Sequence, residues 1–226
     1  MTLAPPHRPA TSPTYGALPL SSALSVEIPL DPGEGGMSIG PAALQPADIL
    51  VSTTSHNISR IVRGFTGSEV SHAAIYAGNE WVVESLTDGV TATRLADAIS
   101  DATVAVALRH PTISSDQAGE VVRFAREHVQ RQTRFDTWAL FKQARFQIGR
   151  ALCSRLGPLR ERCEAGNAAV NIGTESEGFL CSELVVRAFE AARVPLLEGR
   201  AEQFTPQSFV EMQLRGDLEY VGHLVA

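Results

Sequence analysis

The chain has 226 residues, enough for one sizeable domain with additional segments. Its formal net charge of -6 provides no basic footprint for nucleic acid, and no apolar run approaches the roughly 20 residues that span a bilayer. The three cysteines are too few for a disulfide scaffold, and no Cys-x-x-Cys pair indicates zinc, so we expect no metal site.

Residues 1–45 are rich in Pro, Ser and Gly, which predicts a flexible N-terminal tail whose later part could lie along the domain. The tail lacks the basic-then-apolar pattern of a secretory signal, so we expect synthesis in the cytoplasm with no signal peptide and no stable membrane insertion. Residues 46–226 are predicted to form one domain. An irregular, Gly-containing insert is expected at about 147–177.

The predicted elements of the domain mix strands and helices. Strands are expected at 46–52, 71–77, 81–86, 104–108 and 219–225, with a hairpin loop at Gly78-Asn79-Glu80. Helices are expected at 55–66, 95–99, 114–130 and 135–146, from 181 onward, and starting within 204–210. Ser114 followed by Gln117 is the pattern of a capping box. This order predicts an α+β fold with an antiparallel sheet.

Cys181 is predicted to lie in the first turn of a helix and to point inward. It precedes Leu184 and Val185 by three and four residues, which is the spacing of one helix face. Unpaired N–H groups and the helix dipole lower a thiol pKa at such a position. The alternative is a buried cysteine that only fills the core. Cys153 and Cys163 could pair in an oxidising compartment, which would leave Cys181 as the one thiol.

His72 is the best-placed histidine to activate a thiol. It follows Ser71 at the start of an apolar strand, after a Gly/Ser-rich turn, whereas the other five histidines lack such a context. A nucleophilic thiol needs a nearby base and a third group that orients the base. A buried histidine with a purely structural role is the alternative.

Glu84 is the candidate for the third group, because the expected pairing of its strand with the His72 strand places it near His72. A three-residue loop pairs Ala77 with Trp81, which places Glu84 on the face of His72 at a diagonal position. A two-residue loop would turn Glu84 to the opposite face, because side chains alternate along a strand. An edge-exposed glutamate is the alternative.

Three segments together resemble a known family: ADILVS at 47–52, SHAAIYAGNEWVVESLTDGVTATRL from Ser71, and GFLCSELVVRAF from Gly178. They are similar to circularly permuted NlpC/P60 (papain-like) cysteine hydrolases of the YiiX/YaeF-like type, in which the histidine strand precedes the cysteine helix. The resemblance covers about residues 46–225. It implies an antiparallel sheet with the cysteine helix packed against it, and a catalytic trio of Cys181, His72 and Glu84.

The resemblance also implies further site residues. The backbone N–H groups of Cys181 and Ser182 would stabilise the oxyanion, and Ser71 would line the site. Asp136 falls where members carry a Tyr-Asp pair near the site. Leu180 stands where many members have tyrosine before the cysteine, so a tyrosine hydroxyl is not expected to contribute.

The implied activity is cleavage of an amide bond in peptidoglycan peptide or a related peptide. Relatives with this order include wall-attacking toxins, so the chain could be an antibacterial effector exported to the periplasm without a signal peptide. Such an effector would have an immunity protein and a secretion-machinery partner. Two alternatives stay open: a hydrolase or transferase acting on fatty-acyl esters or amides, and a non-catalytic binding module with Cys181 far from His72.

Overall fold

The computed structural model describes residues 36–54, 70–135, 178–196 and 204–224, together with Cys153, Cys163 and Ala201. The predicted helix at 55–66 lies outside this range, as does the predicted helix at 135–146 apart from Phe135. The predicted insert also lies outside it apart from its two cysteines. Helices and strands are mixed, so the predicted α+β class is confirmed.

The described residues form the following strands and helices, numbered in chain order. The strands are β1 (Ser38–Ile39), β2 (Ile49–Thr54), β3 (His72–Gly78), β4 (Trp81–Leu86), β5 (Gly89–Arg94), β6 (Ala102–Arg109) and β7 (Glu219–Leu224). The helices are α1 (Leu95–Ile99), α2 (Ser115–Gln130), α3 (Cys181–Ala191) and α4 (Pro206–Arg215), besides a short 3-10 turn at Pro41–Ala43.

The strands form one sheet in the order β1-β7-β6-β2-β3-β4-β5. Each neighbouring pair is antiparallel except β1 with β7, which is parallel. β1 lies within the range predicted as tail, and β5 was not predicted as a strand. Its central residues Thr91, Ala92 and Thr93 are small and carry little apolar alternation, so β5 depends on pairing with β4 rather than on its own pattern.

The two faces of the sheet bury separate cores. The larger core joins the sheet to α2, α3 and α4, and its buried members include Ile49, Val51, Ala73, Ile75, Val83, Val121, Ala125, Leu184, Phe189 and Phe209. The smaller core covers the opposite face with α1, and its members include Leu50, Ala74, Tyr76, Val82, Leu95, Ile99 and Ala107. Within the described residues, no helix is both long and apolar enough to cross a membrane.

The hairpin between β3 and β4 sets the position of Glu84. Its tight turn has only two residues, Asn79 and Glu80, both with positive φ, and Gly78 pairs with Trp81. A shift in register between Tyr76 and Gly78 inserts one residue, so Ala74 pairs with Glu84. The predicted register is therefore correct, although the predicted three-residue loop is replaced by a two-residue turn and a bulge.

Candidate active site

The site lies where β3 and β4 separate. Their pairing runs from Gly78–Trp81 to Ala74–Glu84 and stops there. Tyr76 donates its N–H to the Asp48 carbonyl beside β2. Backbone N–H groups point to opposite sides of a strand at successive residues, so the Ala73 N–H points toward β4. This N–H donates to Cys181. The end of the ladder thus presents a main-chain donor to the sulfur.

Cys181 is the first residue of α3, and its thiol is free and half-buried. The preceding Leu180 is the N-cap residue, and its apolar side chain makes no capping hydrogen bond. The N–H groups of the first turn are therefore not taken by a capping side chain. The Ser182 N–H donates to Cys181. Burial opposes ionisation of the thiol, but His72 and these two donors outweigh it and lower the pKa of Cys181.

His72 contacts both of the other candidate residues. Its Nε2 lies 2.8 Å from Glu84 Oε2, and it also hydrogen-bonds to Cys181. Because Glu84 occupies Nε2, Nδ1 is the ring nitrogen left for the sulfur. Burial acts to lower the pKa of His72, but the hydrogen bonds and negative charges of Cys181 and Glu84 raise it to about 10. Proton transfer from the thiol to the imidazole is therefore favoured at neutral pH.

Glu84 is buried, with 4% of its surface exposed. Burial alone would raise the pKa of its carboxyl group, but the His72 ring and a hydrogen bond from Thr93 hold that pKa below its usual value. Glu84 in β4 pairs with Thr91 in β5, so their side chains share one face of the sheet. Side chains alternate along a strand, so Thr93 lies on this face too. The alternative of an edge-exposed glutamate does not fit this burial.

Three hydrogen bonds hold the residues on the two sides of Cys181. The Phe179 N–H donates to the Arg134 carbonyl at 3.1 Å, and the Ser85 hydroxyl donates to the Phe179 carbonyl at 2.7 Å. On the other side, the Ser182 hydroxyl donates to the Phe204 carbonyl at 2.6 Å. The start of α3 is thereby fixed to β4, to the segment after α2 and to the segment before α4.

The other predicted site residues are Ser71, Leu180 and Asp136. Ser71 is buried, and its hydroxyl lies 3.5 Å from the Ser52 carbonyl in β2. Leu180 is buried, and Asp136 lies outside the described residues. Sequence reasoning did not find the Ala73 N–H, Ser85 or Thr93. The hairpin register could have indicated Thr93, but only the three-dimensional structure shows where the β3–β4 ladder stops.

Cys153 and Cys163 form a disulfide, which leaves Cys181 as the thiol of the chain. Within the described residues, no cluster of three or more His, Cys, Asp or Glu side chains is arranged to hold a metal ion.

The fold is a mixed sheet-and-helix domain. The contacts among Cys181, His72 and Glu84 form a thiol–imidazole–carboxylate site. No family model matches the sequence. The chain is 30% identical over 198 residues to the probable lipoprotein peptidase YaeF of Escherichia coli strain K12, a match that covers 80% of this chain and 71% of YaeF. The chain therefore belongs to the YiiX/YaeF-like family.

A solved structure with a more distant likeness is the metalloprotein yiiX of Escherichia coli O157:H7. Its sequence identity is 16% and its TM-score 0.45, over 80% of this chain and 88% of that one.

Proposed function

We propose that the protein is a cysteine hydrolase that cleaves amide bonds, with Cys181 as nucleophile, His72 as general base and acid, and Glu84 as the group that orients the imidazole. The observation that carries the proposal is the position of His72, which contacts the sulfur on one side and a buried carboxylate on the other. The name of the relative YaeF supports a peptidase. A non-catalytic module would not need this contact, and the alternative predicted that Cys181 and His72 lie far apart.

The reaction begins with the ion pair of thiolate and imidazolium. The sulfur attacks the carbonyl carbon and forms an S–C bond, and the negative charge moves to the carbonyl oxygen. The backbone N–H groups of Cys181 and Ser182 stabilise that oxyanion, a contribution of about 3 kcal/mol for a single donor in well-studied cases. The Ser182 N–H holds the sulfur before the attack, and it becomes available when the charge leaves the sulfur.

The second half of the reaction releases both products. His72 donates its proton to the amine as the C–N bond breaks, which leaves a thioester on Cys181. Neutral His72 then takes a proton from water, and the resulting hydroxide attacks the thioester. The S–C bond breaks, the acid leaves and the thiolate is restored beside the imidazolium. No metal takes part in these steps.

The order of the elements supports a permuted papain-like arrangement. β3, which carries His72, precedes α3, which begins at Cys181. The two elements share the larger core, through Ala73 and Ile75 of β3 and Leu184 and Val185 of α3. In ordinary NlpC/P60 enzymes the cysteine helix comes first, so we propose that this chain is a circular permutant of that fold.

The proposed substrate is the peptide of peptidoglycan or a related peptide, and the proposed setting is the periplasm. The disulfide between Cys153 and Cys163 supports an oxidising compartment, because such bonds form and persist there. An exported effector of this kind would have an immunity protein in the producing cell and a partner in the secretion machinery.

The first prediction tests the activity and the substrate class. Wild-type protein should release fragments from purified peptidoglycan, and Cys181→Ala should reduce that release by a factor of at least about a thousand because the nucleophile is lost. Mass spectrometry of the products identifies the bond that is cleaved. A parallel incubation with phospholipid detects the fatty-acyl alternative.

The matched control for His72 is His110, a partly buried histidine that precedes Pro111 and lies outside the site. His72→Gln should inactivate the protein, whereas His110→Gln should retain activity. Equal behaviour of wild type and Cys181→Ala on every substrate would contradict the enzymatic proposal.

A further inference from the structure

Leu86 is an exposed apolar residue at the end of β4, two residues after the proposed orienting carboxylate. It keeps 40% of its surface exposed, whereas its neighbours on β4 from Val82 to Ser85 are buried. A large apolar side chain that stays exposed beside a reactive site is a candidate for contact with a ligand.

Strand geometry places Leu86 beside the catalytic pair. Leu86 and Glu84 are two residues apart, so their side chains share one face of the sheet with their Cα atoms about 7 Å apart. β3 and β4 no longer pair beyond Ala74–Glu84, but continuing that register by two residues would bring Leu86 opposite His72. On this face Thr91 and Thr93 are half-buried and His72 keeps 18% of its side chain exposed. The surface is therefore open to a substrate.

The reaction determines which part of a substrate reaches this surface. The imidazole must come within hydrogen-bonding distance of the leaving atom to protonate it, so the leaving group lies on the His72 side of the sulfur. The continued register would place Leu86 on that side as well. Asp88, exposed in the turn after β4, adds negative charge near it, whereas the charge of Glu84 is paired with His72 at 2.8 Å. An apolar group without negative charge fits this combination.

We propose that Leu86 is a specificity-determining residue, which contacts an apolar, uncharged leaving group of the substrate. This inference rests on the proposed hydrolase function, because it takes the roles of Cys181 and His72 from that proposal. For an amide substrate it means an apolar side chain on the amine product, with no carboxylate beside the scissile bond.

The experiment uses two acetate esters that differ only in the leaving group: para-nitrophenyl acetate and its ring-carboxylated, anionic analogue. With enzyme in excess, the thiolate forms an acetyl thioester, the C–O bond breaks and the nitrophenolate is released and measured. Because both esters leave the same acetyl group on the sulfur, the ratio of their release rates depends on the leaving group alone. Comparing this ratio between variants cancels the intrinsic reactivity of each ester.

Leu86→Lys should raise the ratio of the anionic to the neutral rate by about fivefold, because it places a positive charge beside the leaving group. Leu86→Ala should lower the rate with the neutral ester about threefold, through loss of apolar contact. The matched control is Leu214→Lys, since Leu214 is 39% exposed and the substitution changes the net charge equally. Leu214 lies near the end of α4, about 12 Å along the helix from its start.

The outcomes separate the two proposals. A changed ratio in Leu86→Lys with an unchanged ratio in Leu214→Lys supports the inference. Equal shifts in both variants, or no shift in either, overturn it while the hydrolase proposal stands. Release of nitrophenolate by Cys181→Ala at the wild-type rate would instead overturn the proposed nucleophile. If Leu86→Lys fails to fold by circular dichroism, an unchanged neutral-ester rate in Leu86→Ala overturns the inference.

Discussion

His72 illustrates how two neighbours can reverse the effect of burial on one side chain. Burial favours the neutral imidazole, yet contact with Cys181 and Glu84 raises its pKa to about 10. The same contacts lower the pKa of the thiol. Between these two pKa values the stable state is thiolate with imidazolium, which is the state that the proposed mechanism requires.

Alkylation with iodoacetamide should detect this ion pair directly. The pKa of Cys181 lies below the ordinary value, so the thiolate persists as pH falls, and labelling should continue below pH 7, where an ordinary thiol of pKa near 8.5 is largely protonated. His72→Ala removes the partner, so its labelling there should be slower by about tenfold. Mass spectrometry of the alkylated peptide measures the rate. Equal rates in the two proteins would argue against the pair.

Glu84→Gln should change the pH profile of the hydrolase as well as its rate. The amide still accepts a hydrogen bond but carries no charge, so the pKa of His72 falls. Because the imidazolium must protonate the leaving group, activity declines as pH rises through the pKa of His72, near 10 in the wild type. In the variant this decline should shift to lower pH, with a loss of kcat of about a hundredfold. A purely structural Glu84 would leave the alkaline limb in place.

At the scale of elements, the site depends on the ends of strands and helices rather than on their middles. β3 and β4 stop pairing at Ala74–Glu84, and α3 begins at Cys181. The Ser85 hydroxyl joins these ends through its hydrogen bond to the Phe179 carbonyl. The geometry around the sulfur therefore depends on contacts between elements that are far apart in sequence.

Ser85→Ala should test this connection. The substitution leaves the Phe179 carbonyl without its donor, so the free energy of unfolding should fall by about 1–3 kcal/mol in a urea titration. The control is Ser100→Ala, because the Ser100 hydroxyl also donates to a carbonyl, that of Asp97 at 2.8 Å, but on the surface. Its loss should stay within about 0.5 kcal/mol. Similar losses of unfolding free energy in both variants would show that the Ser85 hydrogen bond contributes no more to stability than a surface hydrogen bond.

Local signals predicted the elements well where one pattern determines them. The capping box of Ser114 and Gln117 is present, and α2 ends at Gln130 as its periodicity indicated. The hairpin register was also predicted, although the turn chemistry differs, because a two-residue turn with a one-residue bulge offsets the two strands by as much as the expected three-residue loop. β5 was missed because its pairing with β4 is a tertiary effect.

At the scale of the whole molecule, the N-terminal segment contributes an edge of the sheet. β1 pairs with β7, the His223 N–H donates to the Met37 carbonyl at 2.7 Å, and the Met37 N–H donates to the Tyr220 hydroxyl at 3.0 Å. Composition indicated a flexible tail whose later part could lie along the domain, without indicating where. Composition does not contain the information that β7 offers an unoccupied edge, so the contact could not be derived from it.

Gly222→Ala should disrupt this edge. Gly222 has φ of 153°, and a Cβ there would lie 2.5 Å from Ile39 Cγ2 and 2.7 Å from the Met37 carbonyl oxygen. The free energy of unfolding should therefore fall by about 2 kcal/mol or more. In contrast, Gly119→Ala in α2 meets nothing within 4 Å and should stabilise by about 0.5–1 kcal/mol. Thermal or urea unfolding of both variants measures the difference, and destabilisation of both would contradict the packing argument.

The disulfide has a practical consequence for anyone who purifies the protein. With two of its three cysteines joined, each molecule carries a single titratable thiol, and that thiol is the proposed nucleophile. A colorimetric count under non-reducing conditions therefore reports the competent fraction of a preparation. Batches in which Cys181 has oxidised during storage would show fewer than one thiol per molecule. Specific activities can therefore be normalised to the molecules with an intact thiol.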